Sequence, residues 1–565
     1  MKYVVSILLL FFLSSCIKFS SDKKSSGSTS ESTQSEVDSE LEENSDSEEN
    51  GASDSSSDEN DNITNENTET SEDLESDIQS IVDSTGDGDY LSLSDALADD
   101  AKNILIKNGI YEVNESIVVE SSGVIITGES KEGVQLIQKN TEKDLLVVKA
   151  NGVRVSNITL DTLTYNAQAA FVEAGASYIV LENNIIKGGD NIFTVYFAGP
   201  PVSSEGSNCE GCIEKDETID VYLENGESSY SLSYNNHVLN NSITSTYPGD
   251  GVSFALQKNG RFAHNEISGA MLSVYMVKDT RVFKNTLSDS LQSGIYLTLP
   301  SENVVIDDNV INNPVYHGVI VKPQYSEHGH VGENILSQNI EITNNDISAN
   351  VYGISVEGYG SGYSSWGRLE DVLVYNNRIV QKDFTGIFYY NLSVSQINEN
   401  LIDFADCSKN YRGIDFNEDG ESDTPEIASR SSSGIHLYNN LSSINISENL
   451  IRKSDTCSGS EPLDLDDLGA GNINIEDYVM QNAISIGDEG STVAHSIDSI
   501  NIVDNEFVNE VDDWVHSNTT ILNDTYFIGD YSDLDAELFG GIDMQDLSFS
   551  SEIESSGNVN VILNP

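Results

Sequence analysis

Between Asp415 and Glu426 the chain crowds oxygen-bearing side chains into a short run. Asp415, Asn417, Asp419, Asp423 and Glu426 take its first, third, fifth, ninth and twelfth places, with Gly420 sixth and Glu421 seventh. A crowd of hard oxygens around a glycine turn suits Ca²⁺; the plainer reading is an acidic turn in an acidic protein. A second set of residues can move protons: Lys322, His328, Arg368 and Tyr390, with Glu357 beside them. Such groups could take a proton alpha to a carboxylate and return one to a leaving oxygen. Hydrolysis would need a carboxylate pair, for which Glu357 with Asp250 is a poor match. A third set is aromatic: Tyr275, Tyr296, Tyr363, Trp366, Phe388, His436 and Tyr438, whose ring faces suit stacking on sugar rings.

These residues must be positioned by a repeat. An asparagine recurs after an apolar-x-apolar run and before another apolar residue, as in Val282-Phe-Lys-Asn285-Thr-Leu, Val305-Ile-Asp-Asp-Asn309-Val-Ile and Val372-Leu-Val-Tyr-Asn-Asn377-Arg-Ile. From Asn241 through Asn265 and Asn285 to Asn309 the period is about 20–24 residues, in the range of stacked-repeat folds. The apolar runs alternate with period two and are of strand length. Asn suits the bend because it tolerates a left-handed backbone and its short side chain bonds nearby backbone. A second motif, Gly-apolar-x-apolar, keeps phase with it at Gly251, Gly294, Gly318, Gly353, Gly386 and Gly434, with Ala483 as a variant. Strand alternation then sends the x positions outward in columns about 4.8 Å apart. One column reads Ser253, Ser273, Tyr296, Ile320, Ser355, Phe388, His436; the next reads Ala255, Tyr275, Thr298, Lys322, Glu357, Tyr390, Tyr438. The expectation is an exposed sheet face carrying most of the second and third sets. A Greek-key sandwich with evenly spaced strands is the alternative.

The stacked asparagines resemble the asparagine ladder of right-handed parallel β-helices of the pectin-lyase-like type, over about Gly86 to Phe507. The resemblance implies an all-β, single-stranded right-handed parallel β-helix with an N-terminal capping helix, here Tyr90 to Lys102 with Ser94 as N-cap, and inserted loops. The insertions Pro323 to Gln338, Gly358 to Leu369 and Ala405 to Ser432 are read as mostly following the Gly-apolar-x-apolar strand, and in solenoids insertions gather on one, often binding, face. In pectin-lyase-like enzymes the equivalent face holds the substrate, which places a polysaccharide cleft around Lys322, Glu357 and Tyr390. β-Elimination is favoured over hydrolysis, with a non-catalytic glycan-binding, adhesive or structural protein as the alternative. The chain lacks the Gly-His-Gly and Arg-Ile-Lys of polygalacturonases, the Arg-x-Pro-x-x-Arg of pectate lyases and the Asp-Pro-His-Glu of mannuronan epimerases. The Asp415–Glu426 run resembles EF-hand-like loops of extracellular proteins. That implies side-chain ligands from Asp415, Asn417, Asp419, Asp423 and Glu426, a carbonyl ligand from Glu421, and a structural Ca²⁺. Ser422 replaces the usual apolar residue and Pro425 disfavours a following helix.

The flanking segments address location. Residues 1–15, with Lys2 before an apolar run from Val4 to Leu13, fit a signal peptide. Leu13-Ser-Ser-Cys16 resembles a bacterial lipobox, so Cys16 is the expected lipidation site, and Ile17 favours the outer membrane or cell surface. Residues 16–80 are rich in Ser, Glu, Asp and Asn and read as a disordered tether; residues 81–565 are assigned to the β-helix. A formal net charge of -67 opposes binding to nucleic acid, and a monomer is expected. The remaining cysteines suit an exported protein with disulfides Cys209–Cys212 and Cys407–Cys457. A redox pair at Cys209 and Cys212 lacks the strand-to-helix setting, and zinc lacks nearby histidines.

Overall fold

The computed structural model describes residues 79–163, 165–189, 193–198, 233–246, 251–323, 335–358, 367–381, 385–404, 433–453, 482–486, 496–503, 505–509, 526–528, 548–549, 554–556 and 561–563. Every strand pairing among them is parallel, joining each strand to its counterpart about one coil away, which excludes the Greek-key sandwich. The chain winds as a parallel β-helix with three faces. In the coil that begins at Leu272–Tyr275 on the first face, Lys278–Phe283 lies on the second and Thr286–Ser288 on the third. The third face alone is a sheet of 13 strands from Gly109–Val113 to Glu506–Asn509.

The interior is one continuous apolar cluster from Val82 to Ile500. The apolar positions of the Gly-apolar-x-apolar strands point into it as alternation requires, with Val319, Val321, Ile354 and Val356 fully buried. Each buried aliphatic side chain of this kind contributes about 1.5–3 kcal/mol relative to exposure. The glycines have a steric reason. At Gly353 an added Cβ would lie 2.4 Å from Ile379 Cγ2, on the third face, and 2.6 Å from the Gly386 carbonyl oxygen; Gly294, Gly318 and Gly386 meet the same two obstacles. Space, not backbone conformation, demands glycine at this corner.

The asparagine ladder stands at the corner between the second and third faces, buried from Asn184 to Asn505. Asn285 is typical: its backbone N–H donates to Asn309 Oδ1 at 3.0 Å, while its Nδ2 donates to the same oxygen at 2.9 Å and to the Phe262 carbonyl at 2.9 Å. Each rung therefore satisfies backbone groups that the bend removes from the sheet. The expected left-handed backbone belongs to the residue before the ladder position. Asn183, Asn240, His264, Lys284, Asp308, Asn344, Asn376, Glu399 and Glu448 all have φ between 50° and 57°, and no ladder asparagine does. Doublets such as Asn344-Asn345 divide the two jobs, and the outer members bond each other, Asn376 Nδ2 to Asn344 Oδ1 at 2.7 Å.

Parallel stacking runs beyond the Gly86–Phe507 stretch that carries the resemblance. Ser80–Val82 already pairs with the strand at 104–106, and Tyr526–Ile528 and Val561–Leu563 still stack in parallel on the first face. The N-terminal helix is Leu93–Ala98, capped by Ser92 rather than Ser94. Ser92 Oγ accepts from the Asp95 N–H at 3.1 Å and donates to its carboxylate at 2.6 Å. Asp95 thus holds the capping hydroxyl through both its N–H and its carboxylate, and Leu93 and Ala96 turn inward.

Candidate functional site

The outer side of the first face gathers most of the candidate residues. Register places Ser253, Ser273, Tyr296, Ile320, Ser355, Phe388 and His436 level in successive coils, as alternation predicts. In the next column Thr298 pairs with Lys322, and Glu357 with Tyr390 and then Tyr438. Val321 pairs with Val356, which sets Lys322 and Glu357 level one residue on.

The face is less exposed than expected. Ser253, Ser273, Thr298, Ile320 and Ser355 are buried, as are Phe388 at 7% and His436 at 5% exposure; Tyr275, Tyr296, Lys322, Glu357 and Tyr390 are half-buried. Small residues in these columns are shaded by larger neighbours, and the aromatics pack on each other. Val351, Tyr352 and Phe388 form an apolar cluster separate from the core, with Tyr316 and Tyr390 against it. His436 lies 5.6 Å from Phe388 between ring centroids, and Phe388 stacks on Tyr390 at 6.4 Å.

A further column runs along the near edge, at the residue before each glycine: Ser293, His317, Tyr352, Thr385. His317, a turn filler by sequence, stacks on Tyr352 at 5.0 Å and meets Ser293 Oγ through Nδ1 at 3.1 Å. Burial, and then the charge of Lys322, push its pKa down to about 3, so the imidazole is neutral. Asking what precedes each repeated glycine would have found this column.

Lys322 and Glu357 do not form the ion pair their levels allow. Lys322 Nζ lies 5.8 Å from the Tyr296 ring centroid, a cation–π distance, and Tyr296 meets Tyr275 edge-on at 6.0 Å. Glu357 instead accepts from Ser355 Oγ at 3.1 Å. Arg368 sits in the strand Gly367–Leu369, level with Leu336 and beside the second-face entry, exposed and paired with Glu370 at 3.0 Å. The structure therefore aligns Lys322, Glu357, Tyr390, Tyr296 and Phe388, and engages Arg368 elsewhere.

Both edges of the first face carry insertions. Described strands stop at Pro323 and Glu357 on leaving this face and resume at Ile335 and Gly367. The segment from Ala405 to Ser432 does not follow a first-face strand as expected: it leaves Leu401–Phe404 of the third face and re-enters at Ser433–Ser447 of the first. Asp250, His328, Tyr363, Trp366, the Asp415–Glu426 run, Cys16, Cys209, Cys212, Cys407 and Cys457 lie outside the described residues. Among the described residues no cluster of His, Cys, Asp and Glu could hold a metal ion.

No protein-family model and no curated protein matches the chain. Solved structures do. The Dettilon tailspike protein is 12% identical with a TM-score of 0.43, over 69% of this chain and 63% of that one, so less than two thirds of the tailspike is spanned. PfbA, a surface adhesin of Streptococcus pneumoniae, is 11% identical with a TM-score of 0.44, over 64% of this chain and 84% of its own. The A-module of the Azotobacter vinelandii mannuronan C-5 epimerase AlgE6 is 12% identical with a TM-score of 0.39, over 70% and 91%. At such identities and TM-scores the parallel β-helix rests on the strand pairings themselves.

Proposed function

We propose that the protein holds a polysaccharide along the outer side of the first face and breaks it by β-elimination at the level of Lys322, Glu357 and Tyr390. The observation that carries this reading is the alignment in successive coils of a lysine, a carboxylate and a tyrosine, flanked by the rings of Tyr296 and Phe388. The Lys322 ammonium is suited to a sugar carboxylate, whose neutralisation acidifies the neighbouring C–H. With Lys322 held as an ammonium on that carboxylate, the Glu357 carboxylate is the group to take the proton, the C–H electron pair forming the double bond as the C–O bond breaks, and the Tyr390 hydroxyl the group to give a proton to the leaving oxygen.

A second reading, glycan binding without cleavage, is favoured by the packing of Tyr352 and Phe388 against each other, which makes a ready stacking platform. The two separate on incubating the protein with uronate and neutral polysaccharides, with and without Ca²⁺, and weighing the products. Fragments lacking a water relative to hydrolysis support elimination. An uncut panel with retained binding supports the second reading. Lys322→Ala and Tyr390→Phe are expected to abolish turnover and spare binding if the first reading holds.

Two further parts complete the proposal. Ca²⁺ bound by Asp415–Glu426 would rigidify an insertion that enters the first face, and a Ca²⁺ titration should raise the unfolding temperature. A lipid at Cys16 would present the solenoid at the cell surface; mass spectrometry of the mature N-terminus tests this.

A further inference from the structure

The second face carries a charge arrangement that the first-face reading does not use. Of the arginines among the described residues, Arg154, Arg368, Arg378 and Arg452 each meet a carboxylate, of Glu182, Glu370, Asp346 and Asp403 respectively. Arg261 and Arg281 meet none, yet they are level in adjacent coils and both exposed. Like charges opposite one another on neighbouring strands are destabilising, so a protein of net charge -67 has left two guanidinium groups side by side where carboxylates are plentiful.

Lysines around the pair add positive charge: Lys258 is level with Lys278 on the adjoining strands, while the neutral His237 is level with Arg261 on the other side. His264 and Lys284 project from the next corner, both exposed. Acids on the same and the next second-face strand are engaged: Asp279 accepts from Asn303 Nδ2 at 2.7 Å, Glu302 pairs with Lys278 at 2.7 Å and Asp307 accepts from Thr343 Oγ1 at 2.8 Å. Burial, and then the charge of Arg261, hold the His237 pKa down to about 4, so His237 is a neighbour that senses the Arg261 charge. Arg281 is braced, its guanidinium carbon 5.0 Å from the centroid of the Phe283 ring. That ring also receives His264 edge-on at 5.7 Å.

We infer that Arg261 and Arg281 form an oxyanion site on the second face, taking a carboxylate or sulfate group carried by a sugar. Two arginines on neighbouring strands about 4.8 Å apart can turn their guanidinium groups onto one oxyanion with several N–H donors. The basic stretch is short. Beyond Arg281 the same column continues as Val305 and Glu341, so one or two charged groups fit and a long polyanion does not. The flat face and the half-buried Phe283 ring suit a sugar ring better than an extended acidic peptide. This site is separate from the first face and does not depend on how that face acts.

The test measures binding of a sulfated disaccharide and a galacturonate trisaccharide to the full chain, against a neutral disaccharide, inorganic sulfate and an oligoglutamate. His237 is the local reporter, its titration followed by NMR. A bound oxyanion offsets the charge of Arg261, so the His237 pKa should rise from about 4 when either anionic saccharide is added and stay put with the neutral one. The double variant Arg261→Gln, Arg281→Gln should lose at least ten-fold in affinity at this site, and Arg378→Gln, on the third face, should lose none. An unmoved His237 titration, an unchanged affinity in the double variant, or oligoglutamate or free sulfate binding as tightly as the saccharides would each overturn the inference. First-face binding leaves His237 untouched, so failure of either site is read separately.

Discussion

The corner between the second and third faces and the two edges of the first face belong to the same coils and obey opposite rules. At the corner the geometry repeats with almost no variation: one buried asparagine, one left-handed residue before it, and the same bonds from Asn184 to Asn449. At the edges of the first face the described strands are interrupted repeatedly, and the outward residues range from serine to phenylalanine. A closed ladder of buried polar groups tolerates no insertion, because an added residue would orphan bonds in the coils on either side. The first-face edges do not carry the asparagine ladder and tolerate insertions, so variation is widest there.

The sharpest way to break this contrast is to remove one rung. Asn309 Oδ1 accepts from the Asn285 N–H at 3.0 Å and from its Nδ2 at 2.9 Å, while Asn309 Nδ2 donates to the Val282 carbonyl at 3.0 Å and to Asn345 Oδ1 at 2.9 Å. Asn309→Ala leaves several of these groups buried and unpaired, at roughly 3–5 kcal/mol. Urea unfolding should show it as the largest loss of any substitution considered, with amide exchange rising first in the coils on either side. A loss below about 1 kcal/mol would mean that the rungs are independent, and the contrast would fail.

Gly353→Ala probes a different corner, where the third face meets the first. Its Cβ would meet Ile379 Cγ2 at 2.4 Å and the Gly386 oxygen at 2.6 Å. Part of that strain can be relieved by rotating Ile379, so the expected cost is smaller, about 1–3 kcal/mol. Thermal unfolding measures it. If Gly353→Ala costs more than Asn309→Ala, close packing rather than the polar ladder sets the coil spacing.

The same contrast explains what was legible in the sequence. The ladder could be read because one residue type does one job in every coil, and the inward positions could be read because alternation decides them. The left-handed position could not: it is filled by Asn183, His264, Lys284, Asp308 and Glu399 in turn, since an exposed bend constrains the backbone and leaves the side chain free. Burial on the outer face was also hidden, because whether Ser355 or Phe388 sees water depends on neighbours in adjacent columns and coils. The Ala405–Ser432 insertion was assigned to the wrong edge because Thr385–Asn398 runs across two faces as one strand, leaving no break in the sequence to mark the first corner.

Two histidines sharpen the comparison by pH. His237 and His317 have pKa values pushed down to about 4 and about 3 in the folded state, mainly by burial, from an ordinary 6.5. The unfolded chain therefore binds protons that the folded one refuses. The stability they allow is fully present above pH 6.5 and is lost as pH falls from there toward the folded values. His317→Gln should flatten the decline between pH 6.5 and 5 by about 1 kcal/mol, measured as the difference in unfolding curves, since relief of carboxylate repulsion acts on both proteins alike. Equal slopes would mean that the first-face edge opens to water as easily as any loop.

The smallest effect tests whether the left-handed position is indifferent to its side chain. Glu399 and Glu448 occupy it in adjacent coils, with φ of 55° and 57°, and the Glu399 N–H donates to the Ser447 carbonyl at 3.1 Å, which fixes the two carboxylates as neighbours. Where asparagines stack at this position they bond, as Asn376 does to Asn344, and asparagine adopts the left-handed region more readily than glutamate. Glu448→Asn removes a like-charge contact and eases the backbone, so it should stabilise by about 0.5 kcal/mol, seen as a small rise in unfolding temperature that shrinks as salt screens the charges. A loss of stability would show that the exposed half of the corner is as demanding as the buried half, and the division of labour within each asparagine doublet would have to be abandoned.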